Sequence, residues 1–230
     1  MIFLLTPRAC LAADLSVADQ KAASGRHYLI IRPTDCKIDF VVVRPSKRDD
    51  NVLLCFPAAF TSRKGGICGL YACRGEVGKD STVDHQFGGG IKFEDGKCKI
   101  SDTKGGALID QSFLDSLRIT KSSFFQQFQI VKDGRAEGFK DQSQVQRRCI
   151  VTFADGQAAM VESKGDVSFR ELGEDLLGLG VRNAIYTDMG PYGGGWYRDL
   201  KNNGTVSIGK DHSLTKRQTN WVIFEKALPR

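Results

Sequence analysis

The residues with the clearest chemical potential form one short run, Ala184-Ile185-Tyr186-Thr187-Asp188-Met189-Gly190. An acidic side chain after an apolar run, followed by glycine, sets a carboxylate just past a buried strand where backbone can approach a ligand. The same pattern also fits an aspartate that only organises a turn by accepting from nearby amides. Gly193-Gly194-Gly195 then precede Trp196-Tyr197-Arg198-Asp199. Aromatic faces can stack on sugar rings, and a guanidinium can make two parallel bonds to a phosphate. The alternative for this run is a strand with a core aromatic and a surface ion pair. Arg147 and Arg148 open a second apolar run. Side chains alternate along a strand, so one of the two can face inward. It would then need an anionic partner, either Asp188 or a bound phosphate; the alternative is two solvated charges. The three histidines, His27, His85 and His212, show no ligand spacing. His85 reads as a loop residue. Nucleotide-binding glycine motifs and the Gly-X-Ser-X-Gly elbow are absent.

The elements that must position these groups are short and mostly extended. Residues 27–32 and 37–43 are rich in β-branched side chains and are expected to pair as a hairpin across Pro33-Thr34-Asp35. Residues 52–56 read as a buried strand. The glycine-rich stretch 57–78 reads as a long loop with a strand near 69–76, and such loops are more often functional than accidental. Short strands are expected near 91–93, 97–101 and 124–131, with a helical turn or two at 111–118. Residues 147–153 and 157–163 flank Asp155-Gly156, a strong hairpin turn. Ser168 and Glu171 have the spacing of a helix capping box, and Phe169, Leu172, Leu176 and Leu179 follow at helical spacing. Gly180 stops that helix, and 183–188 is a strand, so the segment fits a βαβ crossover. Residues 14–25 read as a short helix or a disordered leader.

Bulk properties exclude several classes. The chain has 230 residues, 41% hydrophobic and 26% charged, which argues against disorder. A net charge of +6 is scattered, with no basic stripe carrying stacking aromatics, so no nucleic-acid partner is expected. No stretch reaches the roughly 18–20 apolar residues of a transmembrane helix. The start, MIFLLTPRACLAADLS, resembles an incomplete secretory signal with Ala12-Ala13 near a cleavage point. Residues 1–26 are therefore expected to be a leader or signal remnant, 27–230 one domain, and the protein extracytoplasmic. Of seven cysteines, Cys68 and Cys73 are close enough in sequence for a local disulfide, and Cys36, Cys55 and Cys149 read as buried small hydrophobes.

Several of these pieces occur in an order that resembles the phosphodiester glycosidase family. Ala58-Ala59-Phe60-Thr61 stands where that family has an "NGGFF"-like element. Phe125-Gln126-Gln127-Phe128, followed by Asp133-Gly134, is similar to its Gln-rich strand and turn. Arg148-Cys149-Ile150-Val151-Thr152 resembles its "RTAIG" strand, and Leu179-Gly180-Val181 with Ala184 to Gly190 resembles "LGV" and "ALNLDGGGSS". The departures are Met189, Pro191 and Tyr192 in place of glycines and serines, and the loss of Asn-Gly from the first element. The resemblance implies an α+β fold of mixed sheets with a few helices. It implies hydrolysis of a sugar 1-phosphodiester, with a small-molecule or glycan substrate carrying a sugar phosphate. Asp188 would be the acid/base or orient water, and Arg148, with Arg63 or Arg198, would hold the phosphate. Thr61, Gly190 and Trp196 would complete the substrate site. Glu171, Asp84 and Asp199 are candidates for a second carboxylate, and a divalent cation is a possible cofactor. The alternative is a non-catalytic sugar-phosphate-binding module on the same fold, which the altered loop after Asp188 favours.

Overall fold

The Asp155-Gly156 turn seeds the centre of the molecule. In a computed structural model, which describes residues 13–190, 193–202, 204–210 and 213–227, this turn joins two strands of a seven-stranded antiparallel sheet. Strands are numbered here in chain order. The first sheet runs β1 (Asp14–Lys21), β2 (His27–Thr34), β13 (Ala158–Ser163), β12 (Arg148–Phe153), β14 (Val181–Thr187), β10 (Gln129–Lys132), β11 (Arg135–Ala136). The second runs β16 (Gly204–Ile208), β15 (Gly195–Asp199), β4 (Val52–Pro57), β17 (Trp221–Lys226), β3 (Cys36–Val41). The third runs β6 (Glu76–Val77), β5 (Tyr71–Cys73), β9 (Ser123–Gln127), β7 (Gly89–Glu94), β8 (Lys97–Asp102). Two helices, α1 (Gln111–Thr120) and α2 (Phe169–Gly178), and a 3-10 turn (Ser213–Arg217) complete the described elements. The fold is α+β and mostly sheet, as the sequence leads one to expect.

Alternation along the central strands feeds two cores. Cys149, Val151, Ala184 and Tyr186 face α2, where Phe169, Leu172 and Leu176 present the apolar stripe. Ile150 and Ile185, the residues between them, face Phe56, Phe125 and Phe224 of the other two sheets. α2 carries the anticipated box: the Ser168 hydroxyl accepts from the Glu171 amide and the Glu171 carboxylate accepts from the Ser168 amide. Because β13 and β14 both pair antiparallel to β12, they run parallel to each other around it, and α2 makes the crossover.

Several expectations are corrected. β2 and β3 do not pair with each other. β2 lies between β1 and β13, and β3 lies beside β17, so the turn at Asp35 (φ 51°) carries the chain from the first sheet to the second. The apolar pattern is the same for a hairpin and for a corner, because each strand finds a distant partner. The expected single strand at 124–131 is broken at Phe128 for the same reason: β9 pairs in the third sheet and β10 in the first. Residues 14–21, expected as helix or leader, form the edge strand β1, paired along its whole length with β2 and exposed enough to be polar. The leader expectation for residues 1–12, with Cys10 and Ala12, lies outside the described residues. Cys68 and Cys73 are free thiols, with no disulfide among the described residues. Cys55 and Cys149 are fully buried as expected, while Cys36 is half-buried.

Candidate functional site

At one end of the first sheet, neighbouring strands carry a row of buried polar groups. Arg148 begins β12 opposite Glu162 of β13 on one side and Thr187 of β14 on the other, and Asp188 follows Thr187. All four residues are at most 5% exposed. β14 delivers Asp188 because Ala184, Ile185 and Tyr186 are anchored in the two cores.

Asp188 is locked to the chain leaving β4. Its amide donates to the Ala58 carbonyl at 2.8 Å, and its Oδ2 accepts from the Thr61 amide at 3.0 Å. Among the described residues nothing hydrogen-bonds Oδ1. Burial pushes its pKa up to about 6, opposed by the Thr61 amide and the nearby Arg148 charge. The carboxyl therefore changes protonation close to neutral pH, which is the property a general acid or base needs. The Ala58–Thr61 backbone is itself held by Asn220, which bonds both the amide and the carbonyl of Ala59 and donates to the Thr61 hydroxyl. The Thr61 hydroxyl donates to Gln218 at 2.7 Å.

Arg148 is fully buried. Its Nε donates to Glu162 Oε2 at 2.8 Å, and its Nη2 donates to the Gly193 carbonyl at 2.9 Å while lying 2.6 Å from the same Glu162 oxygen as an ion pair. Its Nη1 is buried with no partner among the described residues. The other Glu162 oxygen accepts from the Gly209 amide and from Gln146. Gly209 sits at φ 66°, and a Cβ there would fall 2.3 Å from the Gly193 carbonyl and 2.5 Å from Arg148 Nη2. Only glycine lets this end of β16 close on the guanidinium. Arg147 points to the opposite face and is also buried, lying 3.5 Å over the Phe169 ring and bonding the Val167 and Ser143 carbonyls.

The remaining sequence candidates are only partly gathered. Thr61 contacts Asp188 directly. Arg63 is exposed on a turn closed by the Ser62 amide to the Gly66 carbonyl. Gly190 is exposed, its carbonyl accepts from the Gly193 amide, and a Cβ there would meet open space. Trp196 and Arg198 are not brought to Asp188. Trp196 packs with Val52, Cys55, Trp221 and Ile223, on the face of the second sheet opposite Phe56 and Phe224. Arg198 bonds the carbonyls of Lys47, Asp49 and Val52 and pairs with Asp50, bracing the turn before β4. Among the proposed second carboxylates, Glu171 serves the α2 cap and pairs with Arg26, and Asp199 holds the turn at Lys201 and Asn202. Asp84 accepts from the Gln86 amide.

Glu162 is the residue that sequence reasoning missed. Its signal was a lone acid in the apolar run Ala158 to Val161, but its partner depends on hairpin register. The Phe153 amide bonds the Gln157 carbonyl across a three-residue loop with Gly156 at φ 80°, and this sets Glu162 against Arg148. Beside the carboxylate, Phe60 meets Phe87, Phe128 and Tyr186 with ring centroids 5.5 to 6.0 Å apart, an apolar wall that sequence reasoning did not assemble. Among the described residues no group of three or more His, Cys, Asp or Glu side chains converges, so the allowance for a divalent cation finds no donor set here. A cavity of about 700 Å³ lies elsewhere, between the β7–β8 hairpin and α1.

No family model matches the chain, and no curated protein matches it. Among solved structures, it is similar to the catalytic domain of zebrafish N-acetylglucosamine-1-phosphodiester alpha-N-acetylglucosaminidase, auto-inhibited by its pro-peptide. The TM-score is 0.62 at 12% identity, over 94% of this chain and 83% of that one. It is also similar to a hypothetical protein from Synechocystis, with a TM-score of 0.60 at 12% identity, over 93% of this chain and 62% of that one. At such identity the likeness shows the shared fold.

Proposed function

We propose that this protein hydrolyses a sugar 1-phosphodiester at the anomeric carbon, with Asp188 as the base. The observation that carries the reading is a buried carboxyl with a pKa of about 6 beside a guanidinium, one oxygen held by the Thr61 amide and the other without a hydrogen bond among the described residues. In the reaction a water oxygen bonds to the sugar C1 while the C1–O bond to phosphate breaks. The electron pair leaves on the phosphate oxygen, and the water proton passes to Asp188. A phosphate monoester has a second pKa of about 6, so it departs without a proton donor, and one carboxylate is enough. Arg148 Nη1, buried and unpartnered among the described residues, supports an anionic substrate, because a guanidinium nitrogen left without an acceptor is costly until one arrives. The fold shared with a phosphodiester glycosidase supports the substrate class.

A second reading, a sugar-phosphate-binding module without turnover, is favoured by one observation: two of the three Arg148 nitrogens are already committed to Glu162 and Gly193. A nitrophenyl sugar phosphodiester separates the two. The expected result is sugar release whose kcat/KM rises with pH through about 6 and then levels, since below that value Asp188 is already protonated. Asp188→Asn is expected to lower the rate by about 10²–10⁴-fold, the span of general base catalysis. Equal release by wild type and variant removes Asp188 from the mechanism, and binding without release selects the second reading.

A further inference from the structure

Burial alone does not account for the pair Arg148–Glu162. A buried ion pair is often no more stabilising than apolar packing of the same volume. This one is also incomplete, since Glu162 takes Nε and Nη2 and leaves Nη1 without an acceptor among the described residues. Four chain segments converge on it: β12 supplies the guanidinium, β13 the carboxylate, and the facing ends of β15 and β16 supply the Gly193 carbonyl and the Gly209 amide. Asp188 lies one residue beyond Thr187, the cross-strand partner of Arg148.

We propose that Glu162 is the positioning residue of the Asp188 site, turning Arg148 so that Nη1 alone remains to donate to an incoming phosphate. This rests on the hydrolase reading above and extends it to a residue with no direct part in the bond changes. Glu162 also balances the guanidinium charge. Without that balance, Arg148 would act on Asp188 as an uncompensated cation and favour the ionised carboxylate. Among the described residues, the other titratable groups that face Asp188 are the Cys68 thiol and the Tyr186 phenol. Both are shifted up chiefly by burial, and both are neutral around pH 6. Among the described residues they leave Arg148, with its partner, as the charge that acts on Asp188.

Two variants of the full chain separate charge from reach. Glu162→Gln keeps the shape and removes the charge, and the Asp188 titration, followed by carboxyl carbon NMR, is expected to fall by roughly one pH unit. Glu162→Asp keeps the charge but is one methylene shorter. Its Asp188 titration is expected to stay at the wild-type value while affinity for inorganic phosphate, measured by calorimetry, weakens about 10-fold. An unchanged Asp188 titration in folded Glu162→Gln overturns the proposal, as does unchanged phosphate affinity in Glu162→Asp. If Glu162→Gln does not fold, Glu162→Asp decides alone. Neither readout needs turnover. A wild type that releases no sugar, with both effects present in the variants, refutes the hydrolase reading and leaves the role of Glu162 standing.

Discussion

At the scale of single residues, the cost of Asp188 is as informative as its placement. Its folded pKa of about 6 lies above the ordinary 3.8, so the folded state holds the proton more tightly than the unfolded chain does. Stability from this group is full below the unfolded value and is lost as pH rises through about 6. The gap corresponds to about 3 kcal/mol held against the charged form. Asp188→Asn should therefore stabilise the protein at pH 8 by up to about 3 kcal/mol and have little effect at pH 4, as urea unfolding at the two pH values would measure. Equal effects at both would mean that the carboxyl is not desolvated. Asp188 and Arg148 could be singled out in the sequence because each ends or begins an apolar run. Glu162 could not, because its meaning depends on which residue it opposes, and one step of hairpin register would have turned it to the other face. Trp196 and Arg198 looked like ligand contacts for the converse reason: composition carries no record of which face of β15 each would join.

Elements with local signals were legible, and elements with distant partners were not. The α2 cap needs only Ser168 and Glu171, three residues apart, and it forms as read. Ser168→Ala is expected to cost about 1 kcal/mol, seen as a lowered urea midpoint with an unchanged slope. The turn at Asp35 is equally local in sequence, yet whether it closes a hairpin or turns a corner is decided by β13 and β17, far along the chain. Polar β1 carries too little apolar alternation to announce a strand, since it is an edge covered on one side only. Gly209 belongs to this scale as well. Gly209→Ala sets a methyl against the Gly193 carbonyl in a left-handed backbone, so a loss of several kcal/mol is expected, on the order of other strained backbone positions. A variant with wild-type stability would show that the β16 end can draw back from Arg148.

For the whole molecule, the three sheets meet in one core around Phe56, Phe125 and Ile150, and buried thiols lie in the separate clusters on either side of it. Cys55 and Cys149 are both fully buried, and burial pushes the Cys55 thiol up to about 12. Both should resist alkylation in the native protein and react only on global unfolding, as peptide mapping after timed labelling would show, whereas half-buried Cys68 should react earlier. Early labelling of Cys149 would mean that β12 opens independently of the rest.

The position of β17 has a consequence for how this chain is made. Synthesised after every other described strand, it lies inside the second sheet, with β4 on one side and β3 on the other. Until residues 221–226 leave the ribosome, β3 and β4 each present an unsatisfied edge, and Phe40 and Phe56 have no Val222 or Phe224 to cover them. A released chain ending just before Trp221 should therefore bind holdase chaperones and remain sensitive to protease, and a released chain that includes residues 221–226 should do neither.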